Sequence, residues 1–285
     1  YSMTTQIIPN IVEKIKEIPP KISYIFTTQS PKTIKGEKLG FLTAILYMAP
    51  AQQSAIVNLC KYASPGCLIA CLYTAGRGKF TSTQISRINK TIWFVRFKAQ
   101  FWTRAIRELN NLKNKAKRQG LTLVVRFNGT SDQPIERIKI KGTNSDYDGL
   151  TILEAFSELS FYDYTKYPYS ERPNETIPAN YHLTYSYHEE TTPEQVTENL
   201  EHGRNVAVVM NVCKQNNRKS CFTTCHCEFP KTWREYEIFP GDESDVRILD
   251  PVGVIIALHA KGEARTDTTE FVIHALGIHA DQVTW

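Results

Sequence analysis

The spacing of apolar and polar residues divides the chain into alternating strand-like and helix-like stretches. Residues 41–48 (Phe-Leu-Thr-Ala-Ile-Leu-Tyr-Met) form a continuous apolar run stopped by Ala49-Pro50, the pattern of a strand buried on both faces. Beyond it, Ile85, Ile88, Ile92, Val95, Trp102, Ile106, Leu109 and Leu112 recur at three- and four-residue steps, with Lys, Arg and Gln between them. That period predicts one amphipathic helix or two in succession, opened by a capping box at Thr81 and Gln84 and closed at Gly120. Residues 121–128 read as a second strand, 150–159 as a helix, and 161–165 and 182–186 as further strands. Thr192-Pro193 with Gln195 opens a helix that Gly203 closes, and residues 205–210 make another buried strand. At the start of the chain, residues 10–18 read as a short helix ended by Pro19-Pro20, and residues 30–38 as a polar loop. Near its end, residues 246–250 and 254–259 read as two strands joined by Pro251-Val252-Gly253, an antiparallel hairpin.

Strand and helix thus alternate at least three times, which predicts an α/β fold with parallel strands and helical crossovers. The expected architecture is a full or partial β/α barrel of the TIM type with a C-terminal β-hairpin extension. The chain divides into an N-terminal helix and loop (1–40), a barrel-like core (41–212), a cysteine-rich insert (213–240) and a C-terminal β extension (241–285).

Composition changes this picture little. In 285 residues, 41% are hydrophobic and 22% charged, ordinary values for a soluble globular protein. No apolar run reaches membrane-spanning length, and the first residues lack a signal-peptide pattern. With an odd count of seven cysteines, the expectation is a reducing, cytoplasmic setting without a membrane partner. The net charge of +5 admits a nucleic-acid partner without requiring one. Basic residues interleave with aromatics between Arg87 and Arg118, where a solvated helix face is the simpler explanation.

The chemistry concentrates in Cys60-x6-Cys67-x3-Cys71, three of the seven cysteines within twelve residues. Three thiols on one loop can converge on a soft metal centre, and Ser64-Pro65-Gly66 supplies the turn that folds the chain back. The spacing does not match the paired C-x-x-C pattern of common zinc sites, which favours an iron–sulfur cluster; a Cys60–Cys67 disulfide and inert buried thiols are the alternatives. Gly76 and Gly78 flank Arg77 just beyond, an arrangement suited to close backbone approach. A second group, Cys213, Cys221, Cys225, His226 and Cys227, could hold zinc, lend a remote ligand or form disulfides.

In parallel β/α folds, ligands bind at the carboxyl ends of the strands. Those ends carry the cysteine loop, then Asn128, Thr130 and Asp132, then Asp163, Tyr164 and Lys166, then Ser186, His188 and Glu189. Lys166, Asp132, Asp163 and Glu189 are therefore the candidates for orienting a substrate or moving protons, and Arg77, Asn128, Arg126 and Ser186 for holding a cofactor. Each has a structural alternative: Asn-Gly-Thr-Ser-Asp is good turn chemistry, Asp163 and Lys166 could pair with each other, and Glu189 could sit in a solvated loop.

The cysteine spacing, Arg126-Phe-Asn-Gly-Thr-Ser-Asp132, Phe161-Tyr-Asp-Tyr-Thr-Lys166, Asn180-Tyr-His-Leu-Thr-Tyr-Ser186, Asn205-Val-Ala-Val-Val209 and Asp250-Pro251 through Ala260-Lys-Gly262 together resemble the gene product 88 family of phage proteins. The similarity runs over most of the chain, and it implies kinship and a viral origin, hence a host cytoplasm, without naming a reaction. A three-cysteine loop after the first strand is also similar to radical S-adenosylmethionine enzymes. That resemblance implies Cys60, Cys67 and Cys71 as ligands of a 4Fe–4S cluster whose fourth iron binds S-adenosylmethionine. The chain departs from it in lacking C-x3-C-x2-C spacing and a Gly-Gly-Glu segment. The expectation is thus an iron–sulfur protein acting on an unidentified small molecule; the rival is a non-enzymatic module for nucleic acid or protein, stabilised by metal or disulfides.

Overall fold

A computed structural model describes residues 18–29, 31–212 and 229–274. The helix expected at 10–18, apart from Ile18 at its end, and the second cysteine group lie outside these residues. The strands are β1 (Phe26–Thr27), β2 (Phe41–Leu46), β3 (Thr122–Arg126), β4 (Ser160–Thr165), β5 (Tyr181–Ser186), β6 (Val206–Asn211), β7 (Thr232–Trp233), β8 (Tyr236–Pro240), β9 (Ile255–His259) and β10 (Ile273–His274). The helices are α1 (Pro31–Glu37), α2 (Pro65–Ile69), α3 (Thr81–Arg96), α4 (Lys98–Gln119), α5 (Ile152–Ala155) and α6 (Pro193–Glu201).

The strands form one ten-stranded sheet in the order β1-β2-β3-β4-β5-β6-β9-β8-β7, with β10 added to β6. From β2 to β8 along that order every pairing is parallel; only the end strands β1 and β7 run antiparallel to their neighbours. The predicted α/β class and parallel order hold. Among the described residues no pairing joins β1 to β7, so the sheet is not closed.

The amphipathic stretch is two helices, broken at Phe97, whose backbone (φ −114°, ψ 52°) leaves the helical region. Phe94, Phe101, Trp102, Ile106 and Leu109 from this pair cover Leu42, Ala44, Leu46, Val125 and Phe127 of the sheet. Trp102 stacks on Phe127 with ring centroids 5.9 Å apart. Gly120 ends α4 in the left-handed region (φ 65°), which its missing side chain permits. On the opposite face, Val124 and Tyr162 pack with Val246, Phe41 and Ile248. There Arg126 pairs with Asp245 at 3.2 Å and lies over the Tyr164 ring.

Several local expectations are corrected. Residues 30–38 contain α1 instead of a loop: Lys and Glu are good helix formers, and Thr33 and Gly36 are buried against the sheet. The Thr81–Gln84 capping box does not form, because the helix begins one residue earlier and Phe80 occupies the cap without a side-chain bond. Helix α5 is only one turn, but it carries an unforeseen capping box, Thr151 with Glu154. The C-terminal hairpin does not exist. Arg247–Leu249 is a 3-10 turn in which Arg247 is buried, paired with Asp250 at 3.1 Å and donating to Gly241 O. Strand β9 instead lies parallel between β6 and β8, a long-range pairing that local turn chemistry does not encode.

Candidate functional site

The cysteine loop follows β2 and returns across the carboxyl ends of the strands. Its centre is α2, where Ser64 accepts from Cys67 N at 3.2 Å and Pro65 stands in the first turn. The short helix is tied down by Glu189, beyond β5: its carboxylate accepts from Ser64 Oγ at 2.7 Å and from Gly66 N at 2.6 Å. A Cβ on Gly66 would collide with Thr269 Oγ1 and with that carboxylate, so only glycine allows this approach. Cys67 and Ala70 pack inward with Ala260, Ala264, Phe271 and Val272, while Leu68 and Ile69 face out.

The other two thiols are placed by different means. Cys71 heads the 3-10 turn Leu72–Thr74 and accepts from Tyr73 N at 3.5 Å. Cys60 is set beside Asp132 by an isolated parallel bridge, reinforced by Asp132 N donating to Leu59 O at 2.8 Å. Its sulfur accepts from Ala51 N at 3.3 Å. No disulfide joins the three to one another. Burial is the main reason all three titrate above the ordinary thiol range, with Cys60 pushed up to about 12. They also feel each other: Cys67 and Cys71 raise Cys60, and Cys67 raises Cys71.

Cations oppose that burial. Lys166 lowers both Cys67 and Cys71, and Arg87 lowers Cys71. The Lys166 ammonium donates to Ser186 O and Ser186 Oγ at 3.0 Å and to Tyr187 O at 3.3 Å. Every one of these acceptors is uncharged. Arg87 is 8% exposed, sits over the Tyr47 and Tyr73 rings, and bonds only weakly to Tyr73 O at 3.4 Å. Its Nε is buried without a partner, and burial lowers its pKa. Among the described residues no carboxylate pairs with either cation. Carboxylates act the other way on the thiols: Asp132 raises Cys60 and Cys67, Glu189 raises Cys67, and Lys166 in turn lowers Asp132.

Asp132 accepts from Lys166 N at 2.7 Å and from Arg172 Nη1 at 3.4 Å, and burial raises its pKa. Arg172, fully buried, is itself held by Glu136 through two bonds of 2.9 and 2.7 Å. His188 next to Glu189 is buried with Nδ1 unpartnered, and desolvation with Lys166 nearby brings its pKa down to about 4.

Seven of the eleven predicted residues meet here: Cys60, Cys67, Cys71, Asp132, Lys166, Ser186 and Glu189. The other four have different surroundings. Asp163 accepts from Asn128 N (2.7 Å), Asn128 Nδ2 (3.1 Å) and Tyr181 OH (2.9 Å). Asn128 also accepts from Ser131 Oγ and Gln133 N, organising the turn after β3. Arg126 is engaged with Asp245, and Arg77 is exposed. Asp163 and Lys166 do not pair with each other; their side chains have the separate partners given above. Arg87 and Arg172 were missed, whereas His188 stands at a strand end expected to face the site. An arginine within an amphipathic basic helix carries no sequence mark of burial.

Among the described residues, no three His, Cys, Asp or Glu side chains stand close enough to ligate a single metal ion. No helix among the described residues is long and apolar enough to cross a membrane. A family model described as Gene product 88 matches residues 24–275. No curated protein and no solved structure matches the chain.

Proposed function

The chain belongs to the Gene product 88 family, and we propose that it is a phage-type iron–sulfur protein whose Cys60, Cys67 and Cys71 hold a 4Fe–4S cluster at the carboxyl rim of a partial β/α barrel. The observation that supports this reading is the mutual influence of three buried thiols that also feel Lys166 and Arg87 as cations and Asp132 and Glu189 as opposing carboxylates. When bound, such a cluster would supply one-electron chemistry and Lewis acidity. S-adenosylmethionine or a small-molecule substrate is the ligand proposed for it.

The residues of the chain divide the remaining work. Lys166 and Arg87 offset the charge of deprotonated thiolates, and the three bonds of Lys166 fix its ammonium in place. Glu189 is a positioning residue that holds the helix of Cys67, and Asp132 holds both the strand end of Lys166 and the loop of Cys60. His188, neutral at pH 7, offers an unpartnered Nδ1 as a proton acceptor within the same rim. The host cytoplasm, which keeps thiols reduced, is the proposed compartment.

The test is iron and acid-labile sulfide content with a visible spectrum, on protein purified without oxygen, for wild type and a Cys60/Cys67/Cys71 triple alanine variant. Iron and sulfide present in the wild type and lost in the folded variant support the reading. Zinc, or no metal in a folded wild type, overturns it.

A further inference from the structure

The surface directly outside the thiols combines two features. Among the described residues, five large apolar side chains crowd into one exposed stretch: Leu68, Ile69, Leu72, Phe80 and Ile85, each between 41% and 58% exposed. They lie on α2, on the turn Leu72–Thr74 that follows it and at the start of α3, and the turn Gly76–Lys79 packs on both of the latter, so the surface is continuous. Exposed apolar groups gathered in this way mark a contact surface.

Charge of both signs borders this surface, which is the second feature. Arg77 and Lys79 are exposed on the turn Gly76–Lys79. Residues 262–270 form another border: the turn Gly262–Thr266 packs on Leu72–Thr74, a Cβ on Gly262 would stand 3.1 Å from Ala75 Cβ, and Thr269 crowds Gly66 of α2. This second border exposes Glu263 and Glu270. Among the described residues no ion pair engages any of these four side chains. The neighbouring charges are already engaged: Lys261 pairs with Asp242 at 2.5 Å, Arg265 Nε donates to Ala260 O at 3.3 Å, Glu189 holds α2, and Arg234 lies over the Tyr187 and Trp233 rings. Arg87 is buried beneath α3, and Glu190, next to Glu189, is exposed. A partner of one sign would meet a border of like charge here, whereas a second copy of the same surface can set its basic border on the acidic one.

We propose that this face is a two-fold contact between two copies of the chain. A two-fold axis through the apolar centre lays Arg77 and Lys79 of each copy toward Glu263 and Glu270 of the other, so that every favourable charge contact is made twice. The same operation withdraws the five apolar side chains of both copies from water, which supplies the affinity while the borders fix the orientation. The dimer stands whether or not the thiols carry a cluster, because none of its contacts involves them.

The test is sedimentation velocity on the full chain at about 1–100 μM, the range in which a small interface dissociates. Wild type should sediment as a dimer that comes apart on dilution. Ile69→Glu should be monomeric throughout, with an unchanged circular dichroism spectrum; should it fail to fold, Phe80→Glu makes the same comparison outside the cysteine helix. Reversing one border at a time gives the sharper result. Arg77→Glu/Lys79→Glu carries acid on both borders and Glu263→Lys/Glu270→Lys carries base on both, so each alone should lose about tenfold or more in self-association. Mixed in equal amounts, the two should regain the dimer, because both contacts of the mixed pair again join opposite signs. A wild type that is monomeric at the highest concentration overturns the proposal and leaves the face to a different protein. Reversals that associate as wild type does, a mixture no more associated than its parts, or a dimer that persists in folded Ile69→Glu and Phe80→Glu variants also overturns it.

Discussion

Replacing Glu189 with alanine should release the cysteine helix without unfolding the protein. The carboxylate makes two charge-assisted bonds, to Ser64 Oγ at 2.7 Å and to Gly66 N at 2.6 Å. Bonds of that kind contribute roughly 1.5–3 kcal/mol each, so the low end gives about 3 kcal/mol for local opening of α2. At about 1.4 kcal/mol per factor of ten, that is roughly a hundredfold in the opening equilibrium. Cys67 lies on this helix, whereas Cys60 is held by the loop after β3 and by Ala51 N. In metal-free protein, the labelling rate of Cys67 by a thiol reagent should rise roughly a hundredfold while that of Cys60 stays within about threefold, by the same estimate. Labelling sites are read by peptide mass spectrometry. Acceleration of all three thiols alike would mean global destabilisation, and no acceleration would mean that the helix stands without Glu189; either refutes the reasoning.

Two further substitutions test the frame around the site. Arg172→Met strips the partner from Glu136 and Asp132, both largely buried, and should cost about 3–5 kcal/mol in denaturant unfolding at pH 7; adding Glu136→Gln should restore part of it, and a loss under about 1 kcal/mol would show that the carboxylates find other partners. Burial raises the pKa of Asp163 from 3.8 to about 7. The folded protein then holds a proton that the unfolded chain has released, so this contribution is full below pH 4 and is lost as pH rises through 7. The difference of about three pKa units amounts to about 4 kcal/mol. Asp163→Asn should remove that slope, seen as a wild-type minus variant stability that changes between pH 4 and pH 8; a constant difference would refute it.

The parallel core was legible because its strands are short apolar runs, such as 205–210, separated by stretches of helical period with clear stops. Thr192, Pro193 and Gln195 placed the start of α6 correctly, since a capping box and a first-turn proline are local signals. What failed depended on distant partners. Residues 246–250 have the alternation of a strand, yet Val246 is drawn to Val124 and Tyr162 while Arg247 is buried with Asp250. Nor could the sequence show that β10 would seat itself on β6. At the site, the cysteines stood out by spacing and Lys166 by its place after a strand. Asp163 instead lies within β4, its carboxylate turned toward Tyr181. Arg87 looked like one more basic residue on a solvated helix.

The wall that covers Cys67 comes from the far end of the chain. Ala260, Ala264, Phe271 and Val272 pack on it, Thr269 crowds Gly66, and Phe271 lies under the Lys166 ammonium. A ribosome delivers this wall roughly two hundred residues after it delivers the cysteine loop, at about 5–20 residues per second. At those speeds the interval is about ten to forty seconds, during which Cys67 lacks this wall. The cysteine helix thus acquires its cover only once residues 260–272 have been made.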